Sequence, residues 1–284
     1  MIMSKGIHIL QPKMLEQMAL HNPDLFLGDN FAMLNRINPS LVSQMSRIAR
    51  VPQYVEVGRV IRVTQGHATF HINLVPTHVE AGNLLIIPEN NYIEINELSD
   101  DIDVQIISFK NLPVSFARCT VLRLGEMDFE RTGNYLQLIW QVIHKPAFSM
   151  RTVELLLSAL MNDVQHIHQQ EQQSKHVLTH SELVTQQFMD LVAEHGTTQR
   201  NVGFYAEQLR LTPNHLSTFV KQHTGKSVMQ WLNERTILQA KVLLKHTDLP
   251  ISDIAYQLSF SEVTLFSRFF RRETGSTPKS YRAT

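Results

Sequence analysis

The sequence predicts an α+β chain in which an antiparallel barrel or sandwich of short strands precedes an all-helical domain. Three observations predict it. Apolar residues alternate in the first half, between turns rich in Gly, Pro and Asn. The apolar period lengthens to helical spacing near residue 134. The last hundred residues then repeat themselves. With 284 residues, 43% hydrophobic and 18% charged, the chain has globular proportions and enough length for two cores.

The strands come first. Ile61 and Val63 precede a hairpin turn expected at Gln65-Gly66, and Ala68, Phe70, Ile72 and Leu74 continue in alternation. Ala81-Gly82-Asn83 turns into Leu84 to Ile87, Asn90-Asn91 turns again, and Ile93 and Ile95 alternate with Glu94 and Asn96. Val104 to Phe109 forms a further strand after the acidic turn at Asp100, Asp101 and Asp103. Short strands with no helical stretch between them specify an antiparallel arrangement. By alternation, Val57, Arg59, Ile61, Phe70 and Ile72 point inward.

Two helices follow, striped by Tyr135, Leu138, Ile139, Val142 and Ile143, then by Val153, Leu156, Leu157, Leu160, Met161 and Val164. Such stripes can pack on the strands. The Gln-rich stretch from Gln165 to Lys175 marks a domain boundary. Beyond it, Thr179 and Glu182 make a capping box, and Val184, Phe188, Leu191 and Val192 stripe a helix that Gly196 ends.

At an offset of 50, Leu216 falls on Phe266, Ser217 on Ser267, Val220 on Phe270, Lys221 on Arg271, Thr224-Gly225 on Thr274-Gly275 and Trp231 on Tyr281. Upstream the offset is 49, with Val202 on Ile251, Ala206 on Ala255, Leu209 on Leu258 and Leu211 on Phe260. One copy therefore holds an extra residue in the turn between its helices. Each copy reads as a helix-turn-helix. Its first helix (Val202 to Leu209; Ile251 to Leu258) has a small residue inside it. Its second helix opens at Thr212-Pro213 or Ser261-Glu262 and closes at a Thr-Gly pair. Between the copies, the Ser227 and Gln230 capping box opens a helix whose Met229, Leu232, Ile237, Ala240, Leu243 and Leu244 face both.

Leu216, Phe219 and Val220, with Leu265, Phe266, Phe269 and Phe270, are expected in the core. The opposite faces are Pro213, Asn214, Ser217, Thr218 and Lys221 in the first copy, and Val263, Thr264, Ser267, Arg268 and Arg271 in the second. A helix laid in a major groove needs small or hydrogen-bonding residues near its N-terminus to reach base edges, and Lys or Arg farther along to hold phosphates. Arg268 suits a bidentate contact with guanine; Lys221, Arg271 and Arg272 suit phosphates. Arg272 rests on charge alone. The net charge of zero supports this only weakly. Residues 1–178 carry 14 Lys and Arg against 17 Asp and Glu, and residues 179–284 carry 12 against 9.

Residues 179–284 resemble the AraC/XylS-type DNA-binding domain of bacterial transcription regulators. The resemblance rests on the doubled motif and on the closing F-x3-F-x4-G-x-x-P-x-x-Y-R, here Phe266, Phe270, Gly275, Pro278, Tyr281 and Arg282. One departure is Ser259, where the family usually has Gly; this touches stability, and only if its φ is positive. The resemblance implies a cupin-like barrel as partner domain, and Gly82-x5-Pro88 is similar to the second cupin half-motif.

The metal ligands of enzymatic cupins are missing: no H-x-H pair lies in the strands, and Ile93 stands where the later His belongs. His67 and His71 share a strand face without further ligands. His166 and His168 face different ways on a helix, and His176 and His180 straddle a helix start. Glu94, Glu97 and the aspartates of the acidic turn are a solvated strand end. There is no phosphate loop, nucleophile elbow or H-E-x-x-H helix. No catalytic residue, metal or cofactor is expected.

The expected organisation is a cupin-like sensor or dimerisation domain over 1–133, linker and dimerisation helices over 134–178, and the double helix-turn-helix domain over 179–284. The expected partners are double-stranded promoter DNA, a small-molecule effector whose binding residues are unknown, a second copy of the chain, and RNA polymerase. The alternatives are a constitutive DNA-binding regulator with a ligand-free dimerising barrel, and a metal-cupin enzyme fused to a DNA-binding module. No apolar run approaches the ~20 residues of a membrane helix, and MIMSKGIHIL lacks the features of a signal peptide. The single Cys119 excludes an intrachain disulfide or a multi-Cys zinc module. A cytoplasmic protein with no membrane partner is expected.

Overall fold

Among the described residues, ten strands in two antiparallel sheets account for the alternation of the first half. The computed structural model describes residues 22–28, 31–37, 42–43, 45, 51–111, 116, 118–174 and 179–283. These fall in two compact units, Met1–Lys175 and His176–Thr284. The strands are β1 (Leu25–Leu27), β2 (Phe31–Leu34), β3 (Gln53–Val55), β4 (Gly58–Gln65), β5 (His67–Ile72), β6 (Val75–Glu80), β7 (Asn83–Ile87), β8 (Asn91–Leu98), β9 (Asp103–Phe109) and β10 (Thr120–Arg123). The larger sheet has the order β1-β2-β9-β4-β7-β10 and the smaller β3-β8-β5-β6.

The turn at Gly66 exists, with φ 73°, but it closes no hairpin. β4 pairs with β7 and β9, whereas β5 pairs with β6 and β8. Gly66 therefore carries the chain from one sheet to the other. A Cβ there would lie 2.8 Å from Ile102 Cα, so the crossing needs glycine for space as well as for φ. The true hairpin comes next, where Asn73 and Leu74 take φ 48° and 72° and return the chain into β6. Leu74 is thus in a turn and not in the strand that alternation gave it. Two positive φ values are the mark of a type I′ turn, but its usual second residue is Gly, so Asn-Leu gives little warning. β6 itself hides because it is an edge strand with Pro76 inside and only Val79 buried.

Apolar side chains fill the space between the sheets. Val57, Ile61, Val63, Leu85, Ile87 and Val104 come from the larger sheet, and Val55, Ala68, Phe70, Ile72 and Ile93 from the smaller. The other face of the larger sheet offers Phe31, Met33, Val60, Leu84, Ile86 and Ile107 to α1 (Glu126–Ile143) and α2 (Met150–Ser174). Both faces of β7 are covered, so its five residues are all buried, and Leu84 to Ile87 read as an unbroken apolar run. The stripe Val153, Leu157, Leu160, Met161 and Val164 is packed into this core. On α1 the buried residues are Thr132, Leu136, Ile139, Val142 and Ile143; Leu138 is exposed. This helix starts eight residues before the expected change of period. Its first turn leaves Met127 exposed, half-buries Phe129 against the core, and is favoured by Glu126 and Asp128 at the positive end of the helix dipole. The Gln-rich stretch through residue 174 is the end of α2.

The second unit is helical throughout: α3 (His180–His195), α4 (Val202–Gln208), α5 (Pro213–Thr224), α6 (Val228–His246), α7 (Ile251–Gln257), α8 (Val263–Thr274) and α9 (Pro278–Ala283). Both predicted capping boxes form, Thr179 with Glu182 and Ser227 with Gln230. α6 runs through the middle. It packs on α3, on α5 of the first copy, on α7 and α8 of the second, and on α9. Its Ile237, Ala240 and Leu244 share a core with Ile254, Leu258, Phe266 and Phe270. Each fully buried ring there contributes about 1.5–3 kcal/mol. Met229, expected on the packed face of α6, is exposed.

Candidate nucleic-acid interface

The two helix-turn-helix copies are built alike to the level of single hydrogen bonds. In the first, the Leu211 amide donates to the Ala206 carbonyl at 2.8 Å and the Arg210 amide to Glu207 at 3.0 Å. In the second, Phe260 donates to Ala255 at 3.0 Å and Ser259 to Tyr256 at 2.9 Å. This is the double bond of a Schellman helix end, which requires a left-handed residue at its bend. Arg210 and Ser259 supply it with φ 55° and 59°. The turns then differ in length: 209–212 precede α5, whereas 258–262 precede α8. The extra residue read from the shifted offset lies there, and α5 and α8 are both 12 residues long, 50 apart.

Their starts are not equivalent. Thr212 caps α5 by accepting from the His215 amide at 3.3 Å, with Pro213 in the first turn. At α8 the N-cap is Glu262, not Ser261, and its side chain makes no capping bond. It accepts instead from the Thr264 hydroxyl at 2.9 Å. Both helices end on left-handed glycines, Gly225 at φ 72° and Gly275 at φ 78°.

Each helix buries one side. Leu216, Val220, Phe266 and Phe270 are fully enclosed and Phe269 is buried, while Phe219 is half-buried. Leu265, expected in the core, is instead exposed on the outer surface of α8. The opposite faces are open. Pro213, Asn214, Thr218 and Lys221 are exposed and Ser217 is half-buried; Thr264, Arg268, Arg271 and Arg272 are exposed, with Val263 and Ser267 half-buried. The Thr218 hydroxyl is turned back onto the Asn214 carbonyl at 2.9 Å. Lys221, Arg268 and Arg271 have no hydrogen-bond or ion-pair partner among the described residues. Arg272 is committed elsewhere: it pairs with Glu273 at 2.7 Å and lies 5.5 Å from the centre of the Phe269 ring.

Behind these faces, neutral and charged anchors hold the unit. Burial keeps the Tyr205 phenol well above its ordinary pKa, and its hydroxyl donates to Gln199 O at 2.7 Å. Arg282, the last residue of the closing motif, donates to the carbonyls of Leu244 at 3.3 Å and Leu249 at 2.7 Å. It thereby satisfies the end of α6 and the loop leading to α7, a structural role that the motif alone does not disclose.

Among the described residues, the histidines of the first unit assemble no site. His67 and His78 are 5.9 Å apart ring to ring, His166 bonds Gln170, and His168 packs on Phe116. Among the described residues no group of three His, Cys, Asp or Glu is placed to hold a metal ion. His176 lies outside the described residues. No helix among the described residues is long and apolar enough to cross a membrane.

Two helix-turn-helix units on one connecting helix define a class, the tandem helix-turn-helix domain. A family model described as "Helix-turn-helix domain" matches residues 205–284. The arabinose operon regulatory protein of Salmonella typhimurium is 35% identical over 83 residues, 29% of this chain and 30% of that protein. The HTH-type transcriptional activator RhaS of Salmonella schwarzengrund is 33% identical over 104 residues, 37% of each chain. Residues 205–284 are thus similar to the helix-turn-helix domains of AraC/XylS-type regulators. The matches span about a third of the length of these curated relatives. Among solved structures, the C-terminal domain of AraT, a response regulator from Geobacillus stearothermophilus, is 26% identical. It covers 37% of this chain and 88% of that one, with a TM-score of 0.35.

Proposed function

We propose that this chain is a sequence-specific DNA-binding regulator of transcription, whose α5 and α8 enter successive major-groove faces of a promoter. One observation carries the proposal: two helices of equal length, 50 residues apart, leave equivalent polar and basic faces exposed, with Lys221, Arg268 and Arg271 unengaged. In this reading Pro213, Asn214, Ser217 and Thr218, with Val263, Thr264, Ser267 and Arg268, meet base edges. Lys221 and Arg271 hold phosphates. Arg272 does so only by leaving Glu273. Selection of preferred sites from random duplex DNA by the full chain tests this. Two short boxes about one helical turn apart are expected, and no enrichment would remove the interface.

In the same proposal the two sheets form a cupin-like sensor for a small effector, and α1 and α2 pair two subunits. Arg59 favours a sensor, because it shares the inward row of Val57 and Ile61. Burial in that apolar layer pulls its pKa down to about 10. The exposure of Leu138 and Leu155 on α1 and α2 favours pairing. RNA polymerase is a further proposed partner of the DNA-bound chain. The second reading, a ligand-free barrel that only dimerises, is favoured by how completely apolar side chains fill the interior. Thermal shifts across a metabolite panel separate the two, since a ligand that binds only the folded state raises its melting temperature.

A further inference from the structure

The second unit has a side chain that touches three of its parts at once. Arg200 lies in the loop between α3 and α4, ahead of the first helix-turn-helix copy. Its guanidinium carbon is 4.5 Å from the centre of the Phe260 ring and 4.6 Å from that of Phe269. Those rings belong to the second copy: Phe260 lies within its turn and Phe269 sits on α8. They stand 5.2 Å apart at 44°, so one planar cation covers both. One terminal nitrogen of Arg200 is also 3.5 Å from Asn233 Oδ1 on the connecting helix.

The anchor is held on its own side as well. The neighbouring Gln199 carbonyl accepts the buried Tyr205 hydroxyl, and Asn201 caps α4 through the Gly203 amide at 2.8 Å. Burial lowers the pKa of Arg200, Arg272 lowers it further, and Glu273 opposes them, which places both ends of the Arg272–Glu273 pair within its field. Arg272 lies over the same Phe269 ring. Both copies pack on α6, through α5 of the first and through α7 and α8 of the second. Arg200 adds a direct tie between the copies, through a planar group that stacks on aromatic faces as lysine cannot.

We propose that Arg200 is a specificity-determining positioning residue, which fixes the angle between the two helix-turn-helix copies and so the separation of the two DNA boxes that the chain accepts. This rests on the proposed DNA-binding function. Loss of the tie leaves each recognition helix intact and lets the second copy swing on α6, so single-box contacts persist while the demand for one spacing relaxes.

The test uses the full chain as wild type, Arg200→Ala and Arg200→Lys. Spin labels go at Gln222→Cys and Gln257→Cys in a Cys119→Ser background, and the distance distribution between them is measured without DNA. Binding is then compared on the selected site and on duplexes with the boxes moved by one base pair. A broader distribution in Arg200→Ala is expected, with a spacing penalty reduced about tenfold and Arg200→Lys between the two. A distribution as narrow as wild type in both variants overturns the clamp whatever the DNA result. A broadened distribution with an unchanged spacing penalty overturns the specificity role. Failure of the wild type to select any DNA overturns the functional reading and the spacing role with it, and is recognised separately because the distance measurement needs no DNA.

Discussion

Arg210 and Ser259 occupy the same bend in the two helix-turn-helix copies, both in the left-handed region and neither glycine. The cost of that backbone to a side chain is about 1–2 kcal/mol, partly offset because glycine has more freedom to lose on folding. Ser259→Gly and Arg210→Gly should each stabilise the second unit by about 0.5–1 kcal/mol. A urea titration followed by Trp231 fluorescence in a Trp140→Phe background would measure it; no gain at either position would mean that the bend is relaxed in solution.

The exposed arginines of α8 should separate by role. Arg268→Ala should cost about 1–3 kcal/mol of specific binding and relax preference at one base pair, whereas Lys221→Ala should weaken all sequences alike and lower the salt slope by about one. Arg272→Ala should change the salt slope less than Lys221→Ala, because its charge is shared with Glu273. Binding isotherms over a range of salt, on the selected site and its single-base variants, would check all three. Equal loss on every sequence for Arg268→Ala would reassign that residue to a phosphate.

The unequal helix starts predict opposite outcomes for two substitutions. Thr212→Ala removes a capping bond and should cost about 1 kcal/mol. Glu262→Ser installs a residue suited to the N-cap where no capping bond exists, and should stabilise by several tenths of a kcal/mol. Chemical denaturation of both variants decides it.

Arg282→Ala should destabilise the second unit by about 1.5–3 kcal/mol, the worth of hydrogen bonds from a charged donor. It leaves the Leu244 and Leu249 carbonyls without that donor. If melting is unchanged while DNA affinity falls, the residue belongs to the interface instead.

Cys119 packs against the core between the sheets, and burial pushes its thiol up to about 12 from an ordinary 9, against a smaller opposing hydrogen bond from Thr77. The folded state therefore favours the neutral thiol. Its contribution to stability is complete below pH 9 and is lost as pH rises from 9 through 12. Alkylation at pH 8.5 should be far slower than for a free thiol and should accelerate with unfolding, since only the thiolate reacts. Reaction at the rate of a model thiol in the native chain would refute the burial.

The helical half was legible because its signals are local or doubled. The capping boxes at Thr179 and Ser227, Pro213 in the first turn, and the glycines at 225 and 275 each act through their own backbone. The offset of 49 changing to 50 located the turn to within a few residues. The strand half was legible only where one face is buried or both are, as in β5 and β7. β6 and the Leu74 turn escaped because an edge strand need not alternate, and because a Leu at positive φ is unusual. The crossing at Gly66 escaped because alternation is silent about which sheet a strand joins. In the candidate interface, the exposed faces followed from helical spacing alone. Arg272's pairing with Glu273 and Leu265's exposure did not, since both depend on how α8 is rotated against its neighbours.

The extra residue of the second copy sits in the turn 258–262 and nowhere else in the repeat. Had it fallen in α6, everything after it would have been turned by about 100° and carried 1.5 Å along the axis. Ile237, Ala240 and Leu244 could not then all have kept their seats against the second copy. After a duplication, such a chain can gain or lose a residue at its bends but not in its central rod. The letters that each helix reads are open to drift, one side chain at a time, while the step between the helices is inherited whole.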